Sequence, residues 1–221
     1  MFQESHQNYH PQNNTPFMSN LKLPFYPENK YKALIFDLDG TLVDSIKLHY
    51  KAWQNACAKY GISFDMNYMY NFTGKPTIEC GRQIIRDFKL TVSPQQFVDE
   101  KESFFQQDFH KIGLVEPIAS WAKYFYGKIP IGVGTGTGRN HAIQILTNTG
   151  LISIVDAVIA GDDVENAKPH PETFLRCAEL LKTAPSDCLV FEDGEYGIQA
   201  AKAAGMDVID VKPFYEKPIW D

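Results

Sequence analysis

The chain has 221 residues, 44% of them hydrophobic and 22% charged, with a formal net charge of −6. That length suits one large domain or a core carrying an insertion, and the apolar fraction is enough to build a core. The acidic balance excludes a strongly basic surface, so no nucleic-acid or anionic-membrane partner is expected.

Residues 1–30 are rich in Asn, Gln, His and Pro and lack periodicity, and they read as an N-terminal extension. His6 and His10 have no matching ligand spacing and are not taken as a metal site. Phe25 and Tyr26 are the residues by which this segment would lie against the domain. From Tyr31 the pattern changes. The run 33–36 (ALIF) stops at Asp37, as a strand buried on both faces would. Residues 47–113 then hold amphipathic helical patterns at 48–60, 77–88 and 94–110 and no convincing strand, so this block reads as an inserted helical subdomain. Further short apolar runs follow at 129–135, 157–161, 188–193 and 208–211, separated by helical patterns at 139–149, 171–182 and 196–204. Gly150 and Gly205 stand where helix C-caps are expected. Strands alternating with helices imply an α/β fold, a parallel sheet flanked by helices on both faces.

The four cysteines (Cys57, Cys80, Cys177 and Cys188) are far apart without CxxC spacing. They suit neither zinc nor a disulfide framework, and all but Cys80 sit in apolar or helical surroundings where small buried hydrophobes are expected. No apolar run approaches the roughly 20 residues of a membrane helix, and the N-terminus lacks a secretory pattern. A cytoplasmic monomer is the expectation.

In open parallel sheets the ligand site lies beyond the carboxyl ends of the strands. Those ends carry Asp37-Leu38-Asp39-Gly40-Thr41, Thr135-Gly136-Thr137-Gly138, Lys168-Pro169 and Glu192-Asp193-Gly194. Four separate runs thus bring carboxylates, hydroxyls and one lysine to one edge. Asp37 suits a covalent nucleophile attacking phosphorus, and Asp39 suits the acid that protonates a leaving alkoxide and then activates water. Asp193 completes an oxygen-rich site for Mg²⁺, which favours a few carboxylates plus water and substrate phosphate. Thr135, the Gly136 turn and Lys168 suit the phosphate oxygens.

These stretches, FDLDGTLVDS at 36–45, VGTGT at 133–137, AKPHPETF at 167–174 and VFEDGEYGIQAAKAAGM at 190–206, resemble the four motifs of the haloacid dehalogenase-like hydrolase superfamily. Within it the chain is most similar to the β-phosphoglucomutase-like group and to small bacterial phosphatases acting on fructose 1-phosphate and related sugar phosphates. The resemblance implies a Rossmann-like core at 31–46 and 114–221 with a helical cap at 47–113. It implies Asp37 as nucleophile and metal ligand, Asp39 as acid/base and metal ligand through its carbonyl, and Asp193 as the third ligand with Glu192 in support. Thr135 and Lys168 would hold phosphate, and the expected activity is magnesium-dependent hydrolysis of a small sugar phosphate.

Mutases of this group carry a cap arginine just after a Gly-x-Ser run. The matching stretch here is Phe72-Thr73-Gly74-Lys75-Pro76-Thr77, with Thr77 at the arginine position. That departure favours hydrolysis, although Lys75 is able to substitute in part. A β-phosphoglucomutase-type isomerase and a non-catalytic binding protein remain as alternatives. In the cap, His49 and Lys75 are the candidate substrate contacts.

Overall fold

The computed structural model describes residues 30–72 and 75–215. The extension up to residue 29, with His6, His10, Phe25 and Tyr26, lies outside the described residues, as do Thr73, Gly74 and the tail 216–221.

The apolar run Ala33–Phe36 forms β1, with all four residues buried. It sits at the centre of a five-stranded sheet with β4 (Ile131–Gly134), β5 (Ala157–Ile159), β6 (Cys188–Glu192) and β7 (Asp207–Asp210). The order is β5-β4-β1-β6-β7, and every pairing is parallel. Successive side chains of a strand point to opposite faces, and β1 divides accordingly. Leu34 and Phe36 join a core layer with Trp121, Phe125, Ile145 and Leu146, whereas Ala33 and Ile35 join one with Phe174, Cys177, Ala200 and Ala201. The first layer is supplied by α5 (Ile118–Phe125) and α6 (Arg139–Asn148), the second by α7 (Glu172–Leu180) and α8 (Glu195–Ala203). The Rossmann-like architecture expected from the alternation of elements is present, and Gly150 and Gly205 follow α6 and α8 in the left-handed region.

The helical block contains α1 (Ile46–Ala58), the one-turn α2 (Met66–Met69), α3 (Thr77–Phe88) and α4 (Pro94–Asp108). It has its own apolar cluster, in which Trp53, Phe64, Phe72, Ile84 and Phe97 meet. Asp65 and Ser93 start α2 and α4 by accepting from the amides of Tyr68 and Gln96, the standard N-cap arrangement.

Two elements differ from the sequence reading. A two-stranded antiparallel ribbon joins β2 (Val43–Asp44) to β3 (Gly113–Leu114), one at each end of the helical block. Two-residue strands leave no periodicity to read. Helix α5 was not expected either: it buries Ile118, Ala119, Trp121, Ala122 and Phe125 and leaves Lys123 exposed, but eight residues span barely two turns and give little periodicity to read. All four cysteines are free and buried, including Cys80, which lies on α3. No described helix is long and apolar enough to cross a membrane.

Candidate active site

The register of the sheet sets the site. Phe36 pairs with Val133 on one side and Phe191 on the other, so three chains leave the sheet at one level. β1 is also where the strand order reverses, the crevice in which ligands of such sheets bind.

Asp37 is the first residue past β1. Its Oδ1 accepts from Lys168 Nζ at 2.7 Å, and the same ammonium reaches Glu192 Oε1 at 2.8 Å and the Gly134 carbonyl at 3.0 Å. All three side chains are buried. Burial opposes charge on Lys168, but Asp37 and Glu192 outweigh it and hold the lysine above its ordinary pKa. Burial pushes Asp37 up to about 7 against the pull of Lys168, with Glu192 adding to the rise. Asp193 is raised well above the usual carboxylate range, first by burial and then by Glu192 and Asp37. One ammonium therefore faces three carboxylates, and the excess negative charge is what a cation would relieve.

Carboxylate oxygens of Asp37, Glu192 and Asp193 all lie within 4.8 Å of one another. Asp193 Oδ1 accepts from Thr41 Oγ1 at 3.1 Å, while its buried Oδ2 has no hydrogen-bond partner. Such an orphaned buried oxygen is costly, and a hard divalent cation satisfies it. Both Glu192 oxygens are occupied, by Lys168 and by the Gly194 amide at 2.5 Å, which suits Glu192 to support rather than to coordinate. Two glycines make room. Gly40 turns the chain at φ 87°, and a Cβ there would lie 2.5 Å from Asp193 Oδ2. On α8, a Cβ at Gly197 would meet Glu192 Oε1 at 1.7 Å.

Asp39 is held differently. Ser45 Oγ and Thr137 Oγ1 donate to its two oxygens at 2.5 and 2.6 Å, with His49 Nε2 at 3.3 Å and Thr135 Oγ1 at 3.5 Å. Burial alone would raise its pKa, but the hydrogen bonds from His49, Ser45 and Thr137 overcome it and leave Asp39 well below the usual range. In this arrangement Asp39 is a carboxylate, the form that takes a proton. Donating one requires it to exchange these bonds for a contact with a leaving oxygen.

The remaining expected residues line the same cavity. Thr135 and Gly136 form the turn before α6, where the Thr137 amide donates to Thr135 Oγ1 at 3.0 Å. His49, Trp53, Phe72, Lys75 and Thr77 close the opposite wall from the helical block. Lys75 Nζ donates to Gln83 Oε1 at 3.1 Å and stands 5.5 Å from the Tyr196 ring centroid. His49 stacks on Phe105 with centroids 4.1 Å apart, and its Nδ1 is 2.9 Å from Lys101 Nζ. Burial and then Lys101 lower the His49 pKa, so the neutral ring accepts from Lys101 and donates toward Asp39. The arrangement brings every expected site residue together, and His49 meets Asp39 as well as the cavity.

Sequence reasoning placed Thr41 and Thr137 at the strand ends without a role, and missed Ser45 and Lys101. Lys101 left a readable signal: Phe97, Lys101 and Phe105 recur at spacing four on the buried stripe of α4, where a lysine is out of place. The three hydroxyls lie within the motif stretches, but nothing in the sequence says which carboxylate each one faces.

Comparison with known proteins agrees with this geometry. Residues 34–211 match the family model described as haloacid dehalogenase-like hydrolase. The fructose-1-phosphate phosphatase YqaB of Escherichia coli is 38% identical over 187 residues, spanning 83% of this chain and 97% of its own length. The mitochondrial (DL)-glycerol-3-phosphatase 1 of Arabidopsis thaliana is 34% identical across 80% of this chain and 63% of its own. Among solved structures, β-phosphoglucomutase from Clostridium difficile superposes with a TM-score of 0.75 at 28% identity, covering 80% of this chain and 83% of that one. With its motifs converging at the edge of one parallel sheet and the family match spanning most of its length, the chain belongs to the haloacid dehalogenase-like hydrolases.

Proposed function

We propose that this protein is a magnesium-dependent phosphatase that hydrolyses a small sugar phosphate, of the fructose 1-phosphate kind, with Asp37 as nucleophile. The observation that carries the reading is the buried cluster in which Lys168 bridges Asp37 and Glu192 while Asp193 Oδ2 stays unpartnered. Asp37 attacks phosphorus and the P–O bond to the sugar breaks, leaving an aspartyl phosphate. Asp39 delivers a proton to the departing alkoxide, then takes one from the water that releases inorganic phosphate. Lys168 and the Thr135–Gly136 turn hold phosphoryl oxygens. Asp37, Asp193 and the Asp39 carbonyl would hold Mg²⁺, which offsets repulsion between the carboxylate and the phosphate dianion. Residues 31–46 and 114–221 form the catalytic core in this reading, and 47–113 act as a cap that shields the reaction from bulk water.

The cap side of the cavity presents Lys75 and Thr77 among the described residues, with no arginine to grip a second phosphate. That favours hydrolysis over phosphoryl transfer within a hexose. The test is phosphate release from a panel of hexose, pentose and triose phosphates, with magnesium and with excess chelator. Magnesium-dependent release led by one or two sugar phosphates supports the proposal. Hexose phosphate interconversion on adding a bisphosphate, without release, overturns it in favour of a mutase.

His49 gives a separate expectation. His49→Ala removes a donor that lowers the Asp39 pKa, so the kcat profile should shift toward higher pH. Turnover of a sugar phosphate should fall about 10- to 100-fold. An aryl phosphate, whose leaving group needs less protonation, should lose less. Equal losses on both substrates, with an unshifted profile, would count against coupling between His49 and Asp39.

A further inference from the structure

The segment after β7 approaches the acidic cluster from behind. The Val211 amide donates to the Glu192 carbonyl at 2.9 Å, and Lys212 Nζ donates to the Asp193 carbonyl at 2.9 Å. Tyr215 OH donates to the Gly40 carbonyl at 2.6 Å. Phe214 anchors the segment edge-on to buried Trp121, with centroids 5.2 Å apart. Burial and the nearby Asp193 and Asp37 carboxylates hold the Tyr215 pKa above the usual range, so its hydroxyl stays a donor.

These contacts bear on one carboxylate. Fixing the Gly40 carbonyl fixes the peptide plane that Gly40 shares with Thr41, and Thr41 Oγ1 in turn holds Asp193 Oδ1. The Asp193 carboxylate occupies the space that a Cβ on Gly40 would need. Asp193 is therefore gripped from its backbone by Lys212 and from its side chain by a loop that Tyr215 holds. Its Oδ2 is left without a hydrogen bond, in a residue whose carboxylate lies within 4.8 Å of those of Asp37 and Glu192.

We propose that Lys212 and Tyr215 are positioning residues that clamp the loops carrying Gly40 and Asp193, and so raise the affinity of the acidic cluster for its divalent cation. The inference rests on the magnesium site of the proposed function. Groups that orient metal ligands without touching the metal commonly contribute 10- to 100-fold in affinity, by keeping the ligands organised before binding.

Isothermal titration of Mg²⁺ into the full chain tests it directly, with Tyr215→Phe, Lys212→Met and the double variant beside the wild type. The double variant should bind Mg²⁺ about 10-fold more weakly, with an unchanged melting temperature in excess chelator. Phosphate release should need correspondingly more magnesium, while kcat at saturating magnesium stays close to wild type. Lys212→Arg, which keeps a donor, should restore most of the affinity lost in Lys212→Met. Wild-type affinity in the double variant would overturn the clamp alone. So would an affinity loss matched by a fall in the chelator melting temperature, because that marks general loosening. A wild type that binds no Mg²⁺ would overturn the clamp and the phosphatase reading together.

Discussion

Lys168→Met is expected to destabilise the metal-free protein by about 3–5 kcal/mol at pH 8 and to reduce phosphate release below detection. Methionine keeps the packing of the stem against Phe174, above whose ring the ammonium now sits at 4.6 Å. What disappears is the single cation between Asp37 and Glu192. Breaking a buried pair costs more than the pair itself contributes, because an uncompensated charge remains. The loss should depend on pH in a defined direction. Burial already raises Asp37 from 3.8 to about 7 in the folded protein, so between those values the folded state binds more protons than the unfolded one. Stability from this group is thus present at low pH and falls as pH rises through the folded value. Without Lys168 the Asp37 carboxyl rises further, and its protonation relieves the cluster as pH falls. Chemical denaturation in chelator at pH 5.5 and pH 8 should show the gap between variant and wild type narrowing at the lower pH. A gap of equal size at both values would mean that Lys168 contributes packing rather than charge.

Asp37→Asn should lower phosphate release by at least about 10⁴-fold, as removal of a covalent nucleophile does, while leaving the fold intact. The amide has nearly the shape of the carboxylate, and its oxygen still accepts from Lys168. It also removes one of three crowded carboxylates, so stability in chelator should equal or exceed that of the wild type. The two measurements separate chemistry from structure. Residual activity within tenfold of wild type, with the same dependence on magnesium, would move the nucleophile elsewhere. An unfolded variant would instead assign Asp37 a structural role. Lys168→Met and Asp37→Asn should therefore both be inactive but differ in the sign of their effect on metal-free stability.

The core was legible because its chemistry is written in short runs. Ala33-Leu34-Ile35-Phe36 ends at Asp37, and Cys188 to Glu192 ends at Asp193, so each strand marks both its own length and the residue it delivers. Lys168 was legible from its place after a strand run, at the edge where the other motifs converge, since a lysine before proline has no periodicity of its own. Helix α5 was lost because its eight residues make barely two turns, too short a window for the helical period to stand out. The holders of the site were lost for another reason. Thr41, Ser45 and Thr137 are small polar residues whose importance lies in which carboxylate they face, and that depends on turns set by tertiary packing. His49 was found through its place at the start of the first helical pattern of the inserted block, but its tie to Lys101, 52 residues away in sequence, is a product of α1 packing on α4.

The short ribbon of β2 and β3 also bears on how such a protein changes over time. Val43 faces Leu114 and Asp44 faces Gly113, so the chain leaves for the helical block and returns at neighbouring positions. Everything between them is an excursion with its ends already tied. Lengthening it adds little strain to the sheet, since each doubling of a closed loop costs only about 0.6 kcal/mol. The wall above the cavity can thus change in length while the carboxylates beneath it keep their places on the sheet.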